Sequence, residues 1–389
     1  MKRKLIITTC EEKIVTSLLE NDEIAEFHVS ELSDEPYRLG SIYIGRVKKI
    51  VSNIRAAFIE IGAGMECYYN MDEKGSLPIR VGDEFMVQIS KEAMKTKQPS
   101  VTRNISLAGK YCVLTKGDTR IGISGKLSRE KGAQLMQQMT PYVSSEYGFI
   151  VRTNAKDCSF EELKKEAERL VKEYETLKKT ASTRVCFSCL KEAPSAYLTD
   201  LKNIYQEGLE EILVEEKTLY DEISAYLAEF QPEDMEKLRL YEDALLPLHK
   251  LYSIETKLRD ALKEKVWMKS GAYLVIQPTE ALTVIDVNTG KCIGKKKDDK
   301  GYFKINAEAA REAARQIRLR NLSGIILIDF VNLEHKEKMQ ELLELFNGYL
   351  RQDPIQTTLV DMTKLQLVEV TRKKVRKPLH EAWNEKRNG

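Results

Sequence analysis

Short apolar runs that alternate with polar residues dominate the first third of the chain. Residues 1–30 contain the runs KLIITT, KIVTSLLE and EIAEFHV, separated by charged turns, and this pattern predicts a small antiparallel meander. Residues 38–92 contain further short runs punctuated by glycine, and Phe85, Val87 and Ile89 keep a clear period of two. A closely spaced series of short strands predicts a small β-barrel.

The pattern changes after residue 104 to a mixture of strands and helices. ISLAGKYCVL and GFIVRT each predict a strand. Ser159, followed by two glutamates, predicts a helix N-terminus. Helical spacing then continues through Leu163, Ala167, Leu170, Tyr174 and Leu177.

The last third of the chain predicts an α/β arrangement. GAYLVIQPTEALTVIDVNTG predicts a hairpin, and NAEAAREAARQIRLRN predicts a helix that begins near Asn306. GIILIDFVNL predicts a buried strand, and EHKEKMQELLELFNGYL predicts a second helix. A chain of 389 residues is long enough for about two to four domains. The whole pattern therefore predicts an α+β multidomain protein.

Charge is unevenly distributed, although the net charge is only +2. Residues 37–130 carry +7, residues 200–245 carry −10, and residues 371–389 carry +5. The balance excludes a uniformly basic nucleic-acid coat and a highly charged disordered chain. A basic module attracts phosphate backbones. The alternative is that these charges lie on ordinary surfaces and only keep the protein soluble.

Cysteine usage and hydropathy point to a reducing, aqueous compartment. Seven cysteines in a long chain do not suggest a disulfide framework. Cys186 and Cys189 form a lone CxxC without a second pair or a suitably spaced histidine, which disfavours a zinc site. No apolar run approaches the ~18 residues of a membrane span, and Leu5–Ile7 is too short for a secretory signal. We expect a cytoplasmic protein with no membrane span.

Two acidic residues in the last third lie at the ends of apolar, β-branched runs. They are Asp286 in VIDVNTG and Asp329 in LIDFVNL. On neighbouring strands their carboxylates could hold one Mg²⁺, which activates water toward a phosphodiester. The alternative is that Asp286 caps the following turn and Asp329 caps the following helix. Asn288 either orients a carboxylate or the phosphate, or forms an Asx turn.

Three arginines share one face of the predicted helix at 307–320. Arg311, Arg315 and Arg318 have the spacing i, i+4, i+7 and could contact RNA phosphates. The alternative is a solvated face that pairs with Glu308 and Glu312.

Aromatic residues in the predicted barrel suggest a second kind of site. Phe58 lies in an apolar run, Tyr68 and Tyr69 follow a glycine turn, and Lys97 comes after the last strand of the barrel. Aromatic rings beside a lysine on a barrel face suit stacking on single-stranded bases. Packing in the barrel core is the alternative for each ring.

Several strings together resemble the catalytic half of the ribonuclease E/G family. They occur in order from about residue 35 to residue 385: GSIYIGRVKKI, AAFIEIG, SLAGKYCVL, GFIVRTN, TEALTVIDVNTGK, ARQIRLRNLSGIILIDF and LVEVTRKKVRKPL. The resemblance implies an endoribonuclease that hydrolyses single-stranded RNA to 5′-phosphate and 3′-hydroxyl ends in RNA processing and decay. It implies Mg²⁺, with Mn²⁺ as a substitute. A non-catalytic RNA-binding or ribosome-assembly factor that retains the fold is the alternative, and both aspartates are present.

The resemblance also implies roles for individual residues. Those that match the family's catalytic centre are Asp286, Asn288 and Asp329, with the two aspartates as metal ligands. Those that match its pocket for a 5′-monophosphate are Gly109, Val113, Arg152 and Thr153. Those that match its RNA-binding barrel are Phe58, Tyr68 and Lys97. The family has phenylalanine at the second aromatic position, and a tyrosine there can still stack.

The same resemblance implies a division into subdomains. Residues 1–36 and 196–262 correspond to a ribonuclease H-like subdomain, interrupted by an OB-fold RNA-binding domain at 37–103 and a 5′-sensor region at 104–195. Residues 263–389 correspond to a deoxyribonuclease-I-like catalytic subdomain. The family continues with a CPxCxG zinc link, whereas no cysteine follows Cys292 here. We therefore expect neither zinc nor a zinc-linked dimer, and the oligomeric state stays open.

Overall fold

The computed structural model describes residues 2–32, 37–73, 78–91, 98–203, 208–243, 245–290 and 299–384. The strands are β1 (Arg3–Cys10), β2 (Lys13–Glu20), β3 (Glu23–Glu31), β4 (Ile42–Val51), β5 (Ala56–Glu60), β6 (Glu66–Asn70), β7 (Glu84–Lys91), β8 (Ser100–Thr102), β9 (Ser106–Ala108), β10 (Cys112–Lys116), β11 (Ile121–Ile123), β12 (Tyr147–Val151), β13 (Cys189–Lys191), β14 (Leu209–Val214), β15 (Leu238–Leu240), β16 (Lys265–Trp267), β17 (Tyr273–Pro278), β18 (Leu282–Asn288), β19 (Gly324–Asp329), β20 (Thr357–Met362) and β21 (Leu367–Arg372). The helices are α1 (Arg129–Met139), α2 (Phe160–Ala181), α3 (Ala196–Asn203), α4 (Lys217–Phe230), α5 (Leu248–Leu251), α6 (Ile254–Leu262), α7 (Asp299–Leu319), α8 (Lys336–Leu350) and α9 (Leu379–Asn384). Among these described helices, none is both long and apolar enough to cross a bilayer.

The chain divides into two compact units. The first comprises Met1–Leu32, Glu207–Ala225 and Glu233–Gly389, and the second comprises Ser33–Gln206 and Tyr226–Pro232. The first unit is therefore discontinuous in sequence, with the second inserted into it. The architecture is mixed α+β, as the pattern predicts.

One sheet of the first unit has the strand order β15-β14-β1-β2-β3. Strands β1, β2 and β3 pair antiparallel, which confirms the meander predicted for residues 1–30. Strand β14 pairs parallel with β1, although about 200 residues separate them in sequence. Leu5, Ile6 and Ile7 are consecutive in β1 and all fully buried, which indicates that β1 is covered on both faces.

The other sheet of the first unit has the order β16-β17-β18-β19-β21-β20. Along β18 every second side chain is buried: Thr283, Ile285 and Val287 point into the core. Helices α7 and α8 lie against that face and complete an apolar core. The opposite face of the sheet carries the half-exposed residues of each strand. The predicted hairpin is confirmed as the antiparallel pair β17–β18.

Helix α7 begins at Asp299, so the predicted start near Asn306 is wrong. Asn306 is completely buried inside the helix. Its side chain donates to the carbonyl of Val331 at 2.6 Å and accepts from the Val331 amide at 3.0 Å. An asparagine that looks like a helix cap in sequence is here a buried link to the segment after β19.

The arginine face predicted on α7 divides into two environments. Arg315 pairs with Glu312 at 2.7 Å on the surface, as the solvated alternative predicts. Arg318 is only 13% exposed and does not serve as a phosphate-binding residue on that face. Its guanidinium donates to Glu26 at 2.6 Å and to both carboxylate oxygens of Glu20 at 2.9 and 3.0 Å.

This ion pair changes the titration of Glu26, which is buried. Burial alone would raise the pKa of the Glu26 carboxyl, but the hydrogen bond from His28 and the charge of Arg318 hold it well below its ordinary value of 4.5. The folded protein thus favours the ionised form. The pair joins α7, which supports one sheet, to β2 and β3, which belong to the other.

The second unit contains a closed five-stranded barrel of the OB-like type. Its order is β4-β5-β6-β8-β7, and β4 pairs again with β7 to close it. Strand β13 pairs antiparallel with the first two residues of β4. Residues that point inward, including Ile59, Cys67, Tyr69 and Val87, form the barrel core. The barrel predicted from the period-two pattern is confirmed.

Besides the barrel, the second unit contains a sheet of order β11-β12-β10-β9 packed against α1 and α2. Ser159 and Glu162 form a capping box at the start of α2, so the predicted N-terminus is confirmed. The segment ISLAGKYCVL is not one strand as predicted. It forms β9 and β10, which pair antiparallel around a tight turn at Gly109.

We expect Arg318→Ala to destabilise the protein by about 3–5 kcal/mol, because it leaves the buried Glu26 and the half-buried Glu20 without their main cation. The control Arg315→Ala removes an arginine one turn earlier whose side chain is 42% exposed, and it should cost at most about 1 kcal/mol. Urea denaturation at pH 7 measures both. Equal midpoints for the two variants would contradict the assignment.

The same ion pair should make stability dependent on pH. Because the pKa of Glu26 is lower when folded, its contribution is present above about pH 4.5, the unfolded value, and is lost as the pH falls further. Wild type should therefore lose more stability than Arg318→Ala between pH 5 and about pH 3.

Candidate active site

The two predicted acidic residues lie side by side on neighbouring strands. Strands β18 and β19 are parallel, and Asp286 is the register partner of Asp329. Partners in adjacent strands point to the same face, with the strands roughly 5 Å apart. Asp286 is half-buried and Asp329 is exposed, both on the sheet face away from α7 and α8. The carboxylates are thus presented together on an open surface.

Helix capping does not account for the position of Asp329. Helix α8 begins at Lys336, seven residues after Asp329. The amides that precede it, those of Glu334 and His335, donate to the carboxylate of Asp299 at 3.0 Å each. Asp299, rather than Asp329, thus holds the two residues that lead into α8.

Asn288 orients a carboxylate. Its side-chain amide donates to Oδ2 of Asp286 at 2.6 Å, and the two residues lie on the same face of β18 because they are two positions apart. This contact fixes one carboxylate oxygen of Asp286 and leaves the other for a ligand. Among the roles predicted for Asn288, this hydrogen bond supports the orientation of a carboxylate.

The paired carboxylates repel each other. Although Asp329 is an exposed residue, partial desolvation of its carboxyl group raises its pKa, and the charge of Asp286 raises it further. A divalent cation between them would remove that repulsion. Within the described ranges, no group of three or more histidine, cysteine or acidic side chains forms a complete metal cage. Two carboxylates with room for water and a phosphate are the donor set that Mg²⁺ accepts, so the residues fit this ion.

The aromatic pair predicted in the barrel lies on its outer surface. Phe58 on β5 and Tyr68 on β6 are register partners, and their ring centroids are 6.4 Å apart in an edge-to-face arrangement. Both are half-buried, whereas Tyr69 points into the barrel core and is fully buried. Core packing therefore explains Tyr69 but not the other two. Lys97 lies outside the described residues.

Lys49 is a basic neighbour that the sequence did not single out. It is exposed on β4 and is the register partner of Phe58. A break in the register between Val47 and Lys49 brings the lysine opposite the ring. The outer face of the barrel thus combines two aromatic rings and a cation, as single-strand binding surfaces do.

The predicted 5′-phosphate residues meet at the end of β12. The guanidinium of Arg152 donates to the carbonyl of Gly109 at 2.6 Å and to Oδ1 of Asn203 at 2.8 Å. The hydroxyls of Thr153 and Ser124 are 2.8 Å apart. Arg152 and Thr153 thus follow the last residue of β12, at one end of the strands of the four-stranded sheet.

Val113 lies in the same sheet, on β10. It pairs with the exposed Ile150 of β12, two residues before Arg152. The structure therefore brings all four predicted residues of this site into one region of the second unit.

A buried glutamate holds the turn that contains Gly109. The carboxylate of Glu166 on α2 accepts hydrogen bonds from the amides of Lys110, Tyr111 and Cys112 at 2.6, 2.7 and 2.8 Å. A Cβ at Gly109 would lie 2.3 Å from the Glu166 carboxyl carbon, so a larger residue there would displace the carboxylate from these amides. This clamp fixes the carbonyl that orients Arg152.

Positive charge is concentrated beside this turn. Burial, and then the charge of Arg152, lowers the pKa of the Lys202 ammonium to about 8. Burial also lowers the pKa of Arg152 itself. Two cations that disfavour each other in this way would both be stabilised by a bound anion.

Comparison with known proteins decides the family. The model of the Ribonuclease E/G family matches residues 106–375. The chain belongs to the ribonuclease E/G family. Ribonuclease G of Haemophilus influenzae is 30% identical over 396 residues, which cover 97% of this chain and 80% of that protein. Ribonuclease G of Escherichia coli is 29% identical, over 99% of this chain and 83% of that protein. Ribonuclease E of Synechocystis is 30% identical, over 99% of this chain and 59% of that protein.

Some residues around these sites in this family member could not be singled out from the sequence. Glu166 looks like an ordinary acidic residue of an amphipathic helix, and Asn203 and Lys202 lie about 50 residues from Arg152. Only the tertiary fold brings them together. A charged residue between the apolar positions Leu163 and Ala167 was the single available sign for Glu166.

We expect Glu166→Gln to destabilise the protein by about 1–3 kcal/mol. Glutamine replaces one of the two acceptor oxygens by an NH₂ group, which faces a backbone N–H and leaves that N–H without an acceptor. The control Glu168→Gln lies on the same helix at an exposed position and should change stability by less than about 0.5 kcal/mol. Urea denaturation measures the difference. A midpoint for Glu166→Gln equal to that of the control would contradict the clamp.

Proposed function

We propose that this protein is an endoribonuclease that hydrolyses single-stranded RNA to 5′-phosphate and 3′-hydroxyl ends in cytoplasmic RNA processing and decay. Membership of the ribonuclease E/G family supports the class of reaction. The single observation that carries the proposal is the register of β18 and β19, which sets Asp286 beside Asp329 on an open face. A non-catalytic RNA-binding factor would have no need for two adjacent carboxylates there.

We propose Mg²⁺ as the cofactor, with Mn²⁺ as a substitute, held by Asp286 and Asp329. When bound, such an ion polarises the phosphodiester and lowers the pKa of a water that attacks it. Asn288 keeps one oxygen of Asp286 in place through its 2.6 Å hydrogen bond. Asp329 must be ionised to serve, and its raised pKa lies above 3.8 because of burial and its neighbour's charge.

The other two sites would bind RNA rather than cleave it. Phe58 and Tyr68 would stack on bases, Lys97 would contact phosphates, and Lys49 adds a second cation beside the rings. Arg152 would bind a 5′-monophosphate through charge-assisted hydrogen bonds, with Thr153 as a further donor. Gly109 and Val113 would form the walls of that pocket.

We also propose the family's subdomain plan for the chain. The first unit is interrupted by the second, which supports a ribonuclease H-like subdomain split around inserted domains. The closed barrel supports an OB-fold insert. The sheet that contains β18 and β19, with α7 and α8 on one face, supports a deoxyribonuclease-I-like catalytic subdomain.

We expect Asp286→Asn and Asp329→Asn each to lower kcat by more than about 100-fold. Removal of a metal ligand should reduce activity more than removal of a residue that only hydrogen-bonds to that ligand. Asn288→Ala should lower activity by about 10- to 100-fold, because it frees the Asp286 carboxylate. The control Asp361→Asn removes an exposed acid from β20 of the same sheet and should change nothing. Cleavage of labelled single-stranded RNA at saturating Mg²⁺ is the measurement.

Loss of all cleavage in EDTA and its return with Mg²⁺ would support the cofactor. Near-normal turnover by either aspartate variant would rule out this metal site. RNA binding without any cleavage by wild type, in either ion, would favour the non-catalytic alternative.

We expect RNA with a 5′-monophosphate to be cleaved roughly tenfold or more faster than the same RNA with a 5′-hydroxyl, since a charged hydrogen bond contributes about 1.5–3 kcal/mol. Arg152→Ala should remove most of this preference. The control Arg120→Ala, whose side chain is 72% exposed and pairs with Asp118, should keep it. Equal cleavage of both RNAs by wild type would contradict the sensor and leave the catalytic site unaffected.

The preference should also depend on pH. Lys202 loses its proton as the pH rises through about 8, so the attraction for the 5′-phosphate decreases above that value. The ratio of kcat/KM for the two RNAs, which reports on the free enzyme, should therefore fall between pH 7 and pH 9. In Lys202→Gln the ratio should be flat over this range.

A further inference from the structure

An exposed tryptophan lies at the edge of the face that carries the aspartates. Trp267 on β16 is 59% exposed, which is unusual for so large an apolar side chain. Its ring centroid is 4.9 Å from that of Tyr273 on β17. The ammonium of Lys265 lies 4.2 Å from the Trp267 centroid and 3.6 Å from the Tyr273 centroid. These three side chains form an aromatic platform with a fixed positive charge.

The pairing of the strands connects this platform to the catalytic residues. Trp267 is the register partner of Tyr273, and Tyr273 is the register partner of Asn288. Asn288 in turn donates to Asp286. Because register partners share a face, the rings and the carboxylates lie on the same open surface.

The distances implied by this pairing suit one nucleotide. Trp267 is two strands away from β18, which is roughly 10 Å across the sheet. Lys265 lies in the row of Val275, Asp286 and Asp329, and its ammonium lies over the rings of the neighbouring row. A phosphate held at the aspartates therefore leaves an adjoining base within reach of the indole ring.

The platform is held rigidly. Two backbone hydrogen bonds close the loop between β16 and β17. The amide of Met268 donates to the carbonyl of Ala272 at 2.8 Å, and the amide of Gly271 donates to the carbonyl of Met268 at 3.0 Å. The turn after Asn288 fits against it, because a Cβ at Gly290, where φ is +56°, would lie 2.4 Å from the Gly271 carbonyl and 3.4 Å from the Tyr273 ring. The platform and the catalytic strand are thus fixed relative to each other.

We propose that Trp267 and Lys265 form a nucleobase subsite beside the scissile phosphate, in which a base of single-stranded RNA stacks on the indole and the ammonium pairs with an adjacent phosphate. The inference rests on the proposed ribonuclease function and extends it. Stacking on an aromatic ring tolerates any base, so the subsite sets position rather than sequence. A base in a duplex must first be unpaired and unstacked before it can stack on the indole, so the subsite also favours single strands over duplexes.

Tryptophan fluorescence tests the subsite without requiring cleavage. The chain has two tryptophans, and Trp383→Phe leaves Trp267 as the only reporter. With EDTA present, a short single-stranded RNA should quench its emission, whereas the matching duplex should not. Binding of the single strand, measured by anisotropy of a labelled end, with no change in emission would overturn the proposal.

Abasic substitution locates the stacked base. In an RNA with one cleavage site, an abasic nucleotide at one position beside the scissile phosphate should lower kcat/KM of wild type by at least about fivefold. Trp267→Ala should lose as much with the intact RNA and lose nothing further with that abasic RNA. Trp267→Phe should retain most of the activity. Additive losses in Trp267→Ala would show that the ring and the base do not meet, and would overturn the proposal.

Two further variants complete the design. Val360→Ala, at a position 54% exposed on the opposite edge strand β20, is the matched control and should behave as wild type. Lys265→Gln should raise KM. It should also reduce the slope of log K for RNA binding against log salt concentration by about one, as expected for the loss of one phosphate contact. A salt dependence equal to that of wild type would remove Lys265 from the subsite.

The failure of this inference differs from the failure of the proposed function. If the protein cuts no RNA, the ribonuclease proposal fails, and the fluorescence titration still decides whether a base stacks on Trp267. If the protein cuts RNA and Trp267→Ala is as active as wild type on every substrate, only the subsite fails.

Discussion

The register of the parallel pair β18–β19 is the constraint on which the candidate active site depends. Residues such as Ile285 and Ile328 must point into the core against α7 and α8, which leaves Asp286 and Asp329 on the other face. A slip of one residue in either strand would turn its carboxylate into an apolar core and an apolar side chain into solvent. Burial of the core face therefore determines where the charges lie.

The adjacent carboxylates are held against their own repulsion. Partial burial and the neighbouring charge of Asp286 both raise the pKa of Asp329, as expected for two like charges on adjacent strands. Elsewhere in the same unit, acids are satisfied within the protein: Arg318 neutralises Glu20 and Glu26. The contrast between those neutralised acids and two carboxylates left side by side is expected where a local cost in stability serves function.

Local patterns in the sequence were sufficient for most elements and for part of the site. Period two predicts the meander and the barrel, and the acid at the end of each apolar run predicts that Asp286 and Asp329 lie at a strand end. Periodicity failed where a side chain has a distant partner. Asn306 resembles a helix cap in sequence, and its actual partner, Val331, lies 25 residues away. The run around Gly109 likewise resembles one strand, although its two halves pair with each other.

Residues that support a site rather than contact its ligand are the hardest to predict. Glu166 and Asn203 act on Gly109 and Arg152 across about 50 residues, and their own neighbours give them an ordinary helical appearance. Trp267 differs, because its chemistry is visible but its position is not: only the pairing through Tyr273 to Asn288 brings it to the aspartates. Sequence indicates which residues are able to do chemistry, whereas strand register determines which of them work together.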